Sequence, residues 1–264
     1  MRSPLRNEWL VLIDGAGSGA WNMALDSALL RAAEQDGQCT LRLYSWDPPT
    51  LSFGRNEPAL KRYDRNAIAA RSLAVVRRPT GGRAVWHDRE VTYAVAAPAE
   101  VFGSLRATYH EIHAMLAHAL TALGAHVLLA ADRPPAGVGA GACFASAAGG
   151  EVMAATAGGG KVVGSAQVRG DGAFLQHGSV LLAAEQDVVA AVTRGAADPP
   201  SAAGLMDLLP SNRATWACVS GAIHRAAAAR WGAPATAGEL PATIRARAAE
   251  LLPRFADAAW TWRR

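Results

Sequence analysis

The chain of 264 residues contains only two lysines, Lys61 and Lys161, against 24 arginines. Cysteine is nearly as scarce. Cys39, Cys143 and Cys218 are too few and too widely spaced for a disulfide framework, which predicts a reducing compartment, the cytoplasm. No apolar run approaches the roughly 20 residues that a bilayer crossing needs. The basic opening stretch Met1–Asn7 lacks the apolar core and small-residue cleavage site of a secretory leader. Net charge is also modest, at +4 with 18% charged residues. So mild and scattered an excess excludes a nucleic-acid-binding stripe, while it favours an acidic partner. Repeats and linker-like tracts are absent, and 51% hydrophobic residues at this length predict one globular domain.

Hydrophobic patterning predicts a strand over 8–14, a turn at 15–19 and a helix over 21–34, where Met23, Leu25, Leu29 and Leu30 recur at helical spacing. The alternating run 40–46 reads as a strand stopped by Pro48 and Pro49, and 60–70 as one short helix. From 73 to 97 the pattern is strand, glycine turn, strand, turn, strand, in hairpin-like succession. The clearest helix runs from Ser104 to Gly124, with Leu105, Tyr109, Ile112, Leu116, Leu120 and Leu123 in one stripe and Gly124 at its C-terminal cap. After a small-residue loop at 132–142, strands are expected over 151–156, 161–169 and 174–182. Helices follow near 185–194, 212–230 and 239–255. Strands and helices that do not alternate one for one indicate an α+β fold, with a core over about 8–185 and a helical section over about 186–264.

Three motifs fail on their context. Asp14–Ala20 (DGAGSGA) matches a dinucleotide fingerprint, but a hairpin-like pattern follows instead of βαβ, so a helix-entry turn is the better reading. Gly158–Lys161 (GGGK) lacks the Ser or Thr and the helix of a phosphate loop. His110, Glu111 and His113 (HEIH) have the wrong spacing for a zinc helix. They flank the apolar stripe, where solvated histidines are the plain expectation, and no metal site is expected.

Three others carry chemistry. Arg77–Asp88 (RRPTGGRAVWHD) places three arginines and two adjacent glycines within seven residues, with His87 just after. Adjacent glycines let backbone N–H groups approach a ligand oxygen, and guanidinium groups suit carboxylate or phosphate. Alone, the segment reads equally as a glycine hairpin with solvated arginines. Lys161, behind three glycines at the mouth of a strand, can steady an anion or act as a base; a solvated turn lysine is the alternative. Cys143 follows a Gly/Pro/Ala loop and not a core strand, so it is a candidate nucleophile beside a simple packing role. Cys39 and Cys218 fall within expected elements as inert thiols.

Together these segments resemble the biotin/lipoate protein ligase family. Leu43–Arg55 (LYSWDPPTLSFGR), Arg77–Asp88, Lys161–Gln167 (KVVGSAQ) and Leu175–Leu182 (LQHGSVLL) occur in that family's order, with Asn22–Asp26 (NMALD) matching an early helix. The resemblance covers about residues 8–185. It implies a mixed sheet flanked by helices, similar to class II aminoacyl-tRNA synthetases, and an acyl group bound under the glycine loop. Gly81-Gly82-Arg83 and Cys143-Phe144 are similar to the cysteine-dependent octanoyltransferases, although Ala145–Ala148 replaces a Pro-Ser-x-Tyr common there. On that resemblance Cys143 and Lys161 are catalytic. Arg77, Arg78, Thr80, Gly81, Gly82, Arg83, His87, Gly164, Ser165, Ala166, His177 and Gly178 bind substrate. The donor is octanoyl-acyl carrier protein and the acceptor a lipoyl domain such as glycine-cleavage H protein, with no cofactor, nucleic acid or membrane involved. The alternative is an ATP-dependent lipoate ligase working through lipoyl-adenylate.

Overall fold

The structure, a computed structural model, describes residues 8–131, 150–195 and 201–264. Strand β1 (Trp9–Gly17) leads into helix α1 (Gly19–Asp36), where Ser18 caps the N-terminus through Trp21 N. Residues 15–17 were expected in a turn. They instead continue β1 past an irregularity between Ile13 and Ala16, because Ala16 and Gly17 still pair with Ser45 and Trp46.

Strands β2 (Cys39–Trp46) and β3 (Thr50–Phe53) come next. The single helix expected over 60–70 is two, α2 (Ala59–Arg62) and α3 (Arg65–Ala70). Tyr63 breaks them by turning extended to bridge Thr193, and Asp64 then caps the second through Asn66 N and Ala67 N.

Strands β4 (Ala74–Arg77), β5 (Val85–His87) and β6 (Glu90–Pro98) are where expected, but they do not form a meander. β3 inserts between β4 and β5, parallel to the first and antiparallel to the second, while β6 joins the main sheet. The loop from Arg78 to Ala84 is too long for a tight hairpin, and the Arg78 guanidinium fills it.

Ser104 caps helix α4 (Leu105–Ala122) through Ala107 N. Strands β7 (Val127–Leu129) and β8 (Val152–Ala154) pair with each other. Strands β9 (Val163–Arg169) and β10 (Ala173–Leu181), then helices α5 (Asp187–Val192), α6 (Trp216–Trp231), α7 (Ala242–Ala256) and α8 (Ala258–Thr261), complete the chain.

The main sheet runs β1-β2-β6-β10-β9, antiparallel except for β1 beside β2. Side-chain alternation sends Val11, Leu41, Tyr93 and Val95 to one face, under α4 and α6. Leu12, Tyr44, Ala94 and Leu175 face α1 and α7 on the other. The late helices therefore complete both layers over the sheet. The small sheet β4-β3-β5 has its own core around Phe53 and Tyr63.

A candidate acyl-binding cleft

Where the two sheets meet lies a cleft of about 360 Å³, part of it open to solvent. Met23, Tyr44, Trp46 and Val85 give it an apolar interior; Thr92, His87 and Ser179 add polar groups. The sequence had singled out six further lining residues: Arg78, Gly164, Ser165, Ala166, His177 and Gly178.

The glycine loop is held from below. Burial works against the Asp26 charge, but the hydrogen bond from His177 and the charge of Arg42 outweigh it and hold the carboxyl below its usual range. Burial keeps His177 neutral, pushing its pKa down against the pull of Asp26. His177 Nδ1 lies 2.8 Å from Asp26 Oδ2, and since a carboxylate only accepts, the ring proton is on Nδ1. Nε2 is then bare and accepts the Thr80 hydroxyl at 2.6 Å. Arg42 completes the support with bonds to Asp26 Oδ1, Asn22 Oδ1 and Asp14 Oδ2 at 2.9, 2.9 and 2.6 Å. Gly82, at φ +87, takes a conformation that side chains resist. A methyl at Gly54 would lie 1.9 Å from the Gly82 carbonyl oxygen, so that close packing needs a glycine.

Arg77 and Arg78 do not stand free to bind an anion. Arg77 is fully buried, giving Nη1 to the carbonyls of Gly54 and Glu57 at 2.7 and 2.9 Å and Nε to that of Thr261 at 2.9 Å. Burial and neighbouring arginines lower its pKa to about 10. Arg78 bonds the carbonyls of Ser52, Gly81 and Arg83, so it shapes the loop while one side of it faces the cleft. Arg77, Thr80, Gly81, Gly82 and Arg83 are not among the residues lining the cleft.

On the opposite face of the sheet, His113 departs from the solvated histidine expected. It is fully buried, with Nδ1 2.8 Å from the Gly150 carbonyl and Nε2 2.7 Å from Ser165 Oγ. Burial, aided by the Lys161 charge, lowers its pKa to about 3. The carbonyl must receive the Nδ1 proton, so Ser165 donates to Nε2. The Tyr93 hydroxyl lies 2.6 Å from the same Ser165 oxygen. Gly178 sits between them in register, and a methyl there would come within 2.3 Å of the Gly164 carbonyl oxygen and 2.7 Å of Ser165 Oγ.

His87 repeats the pattern, lying 2.8 Å from Glu90 Oε1 and 2.7 Å from Ser52 Oγ, with its ring stacked on Trp46 at 4.1 Å. His87, His113 and His177 thus each tie a hydroxyl near the cleft to a fixed acceptor.

Lys161 is not a solvated turn residue. It is 3% exposed and its Nζ lies 2.5 Å from Glu151 Oε1. It sits two residues before β9, which carries Gly164, Ser165 and Ala166 into the cleft. Cys143 lies outside the described residues. Cys39 is a buried thiol in β2, its pKa pushed up to about 11 by burial and by Glu100, and Cys218 lies in α6.

Sequence reasoning missed Asp26, Glu90, His113 and Glu151 as anchors, and Tyr44, Trp46, Thr92 and Ser179 as lining. The alternation Arg42, Tyr44, Trp46 in β2 was the available signal for two of these, since it puts them on one sheet face. Among the described residues no cluster of His, Cys, Asp or Glu could hold a metal ion, and no helix is long and apolar enough to cross a membrane.

The fold is that of the lipoate ligases. It superposes on a putative lipoate protein ligase from T. acidophilum, solved with bound lipoic acid, at a TM-score of 0.79 and 18% identity, covering 97% of this chain and 99% of that one. Residues 18–212 match the lipoyl protein ligase A/B catalytic domain, and the chain belongs to that family. It is 38% identical to an octanoyltransferase LipM of Kyrpidia tusciae over 97% of this chain and 99% of the relative. A second octanoyltransferase LipM, from Moorella thermoacetica, is 36% identical over 97% and 98%.

Proposed function

We propose that this protein is an octanoyltransferase of protein lipoylation, acting as one catalytic domain in the cytoplasm. The observation that carries the reading is near full-length similarity to proteins named octanoyltransferase LipM. The apolar cleft beside the Lys161 strand supports it.

In the first half-reaction the Cys143 thiolate attacks the carbonyl carbon of octanoyl-acyl carrier protein. Lys161, as a neighbouring cation, favours that thiolate. β9 is the outer strand of its sheet, so alternate backbone N–H groups near Gly164–Ala166 are available to the tetrahedral oxyanion. The carbon–sulfur bond to the carrier breaks, the Lys161 ammonium gives its proton to the departing thiolate so that the carrier leaves as its thiol, and octanoyl-Cys143 remains. One thioester replaces another, so this step is nearly neutral in free energy. In the second half-reaction the amine of a lipoyl-domain lysine, such as that of glycine-cleavage H protein, attacks the same carbonyl. Lys161, left neutral by the first half-reaction, takes the amine proton and regains its charge, Cys143 leaves as thiolate and an amide forms, which makes the step downhill. Met23, Tyr44, Trp46 and Val85 take the acyl chain.

Mass spectrometry after incubation with octanoyl-carrier protein tests this directly. An octanoyl adduct on the wild type, absent from Cys143→Ala, is expected. Lys161→Ala should reduce transfer by about 10²–10⁴-fold. Full transfer by Cys143→Ala overturns the thioester route, and ATP-dependent use of free lipoate or octanoate assigns a ligase instead.

A further inference from the structure

The arginines that look scattered in sequence are partly gathered by the fold. Arg254 on α7 and Arg263 beyond α8 both stack on the indole of Trp260, 3.8 and 4.0 Å from the centre of its ring. The Trp260 Nε1–H donates to the Arg77 carbonyl at 2.9 Å, which fixes the stack against β4. Arg263 Nη2 reaches over to the Arg55 carbonyl. Arg55 N in turn donates to the Thr80 carbonyl at 2.7 Å, joining this face to the glycine loop. Arg55, Arg254 and Arg263 are all exposed, and none takes part in an ion pair among the described residues. Burial and then mutual repulsion lower the pKa of Arg254 and Arg263, with Arg31 and Arg55 among the repelling charges.

Such a cluster is unfavourable for the isolated protein and favourable only against an anion. A nucleic acid fits poorly, because two guanidinium groups already occupy Trp260 and one face of Trp262 lies under Arg65 at 4.9 Å, which leaves little aromatic surface for a base. We propose that the face formed by Arg55, Arg254 and Arg263, beside the glycine loop, docks the carboxylate-rich carrier protein that delivers the acyl group. The inference rests on the reading of the protein as an acyltransferase between two protein substrates.

The test compares octanoyl-carrier protein with octanoyl-pantetheine, a small thioester that needs no docking. In Arg254→Glu/Arg263→Glu the KM for the carrier thioester should rise about tenfold or more and lose most of its salt dependence, with kcat and the small-thioester kinetics unchanged. Arg55→Glu, which leaves the Trp260 stack in place, should raise the same KM more modestly. Unchanged carrier KM in both variants overturns the docking face while leaving the acyltransferase reading intact. If neither thioester acylates the wild type, that reading falls by itself. Binding of the acidic carrier is then measured directly, with the lipoyl domain as comparison, and equal carrier affinity in wild type and variants overturns the docking face. Tighter binding of a DNA duplex than of either protein also overturns it.

Discussion

His177 and His113 stand on opposite faces of the five-stranded sheet and do similar work. Both are buried, both carry their proton on Nδ1, and both use Nε2 to hold a hydroxyl, Thr80 in one case and Ser165 in the other. They differ in the anchor. His177 leans on Asp26, itself bound to Arg42, so an opposite charge is already in place should the ring take up a proton. His113 leans on a backbone carbonyl with the Lys161 cation nearby, so a second proton there meets only repulsion. Burial lowers the pKa of both rings, so acid works against both supports, and only the one at Thr80 has a carboxylate beside its histidine.

The largest expected effect breaks the first support at its base. Asp26→Ala leaves the buried Arg42 guanidinium without its main partner and should cost about 3–5 kcal/mol, read from urea unfolding.

The pH dependence should report both supports, and a variant separates the share of His113. An unfolded histidine takes up its proton as pH falls through about 6.5, whereas folded His113 resists until about pH 3, so acid favours the unfolded chain. Stability should fall between these limits, by up to about 1.4 kcal/mol per pH unit. His113→Gln should reduce that slope in urea midpoints measured from pH 7 to 4, leaving the share that belongs to His177. Asp26 acts lower down. Its folded pKa is depressed, so its contribution is complete above the unfolded value, near 4, and is lost only as pH falls further.

Two milder changes compare the hydroxyls themselves. Thr80→Val and Ser165→Ala should each cost about 1–2 kcal/mol. Thr80→Val should also raise KM through a looser loop. At the bottom of the scale, Arg247→Ala breaks an exposed pair with Asp36 on neither side of this contrast and should shift the unfolding free energy by about 0.5 kcal/mol or less.

Much of this was legible in the sequence. The stripe Leu105 to Leu123 marked α4, and alternation marked β2, because both depend only on local spacing. His113 was legible too. It lies four residues after Tyr109 and three before Leu116, on the buried stripe itself, and was read as solvated on residue type alone. The insertion of β3 between β4 and β5 was not legible, since its pairings join residues more than 20 apart with no turn to fix them. The destiny of Arg77 was equally hidden. Its partners are carbonyls from the 54–57 loop and from Thr261, and backbone groups leave no trace in residue type. Glu151 precedes a three-residue strand and has no local pattern to announce that it faces Lys161.

The bond from Arg77 to the Thr261 carbonyl spans 184 residues. During synthesis at about 5–20 residues per second, roughly 10–40 s separate the appearance of these two positions. For that interval the guanidinium of Arg77 lacks its Thr261 partner, and the Trp260 indole that later closes on its carbonyl has not been made. The glycine loop is among the earlier parts of the chain to be translated, yet the packing beneath it is completed only after Trp260 and Thr261 have been made.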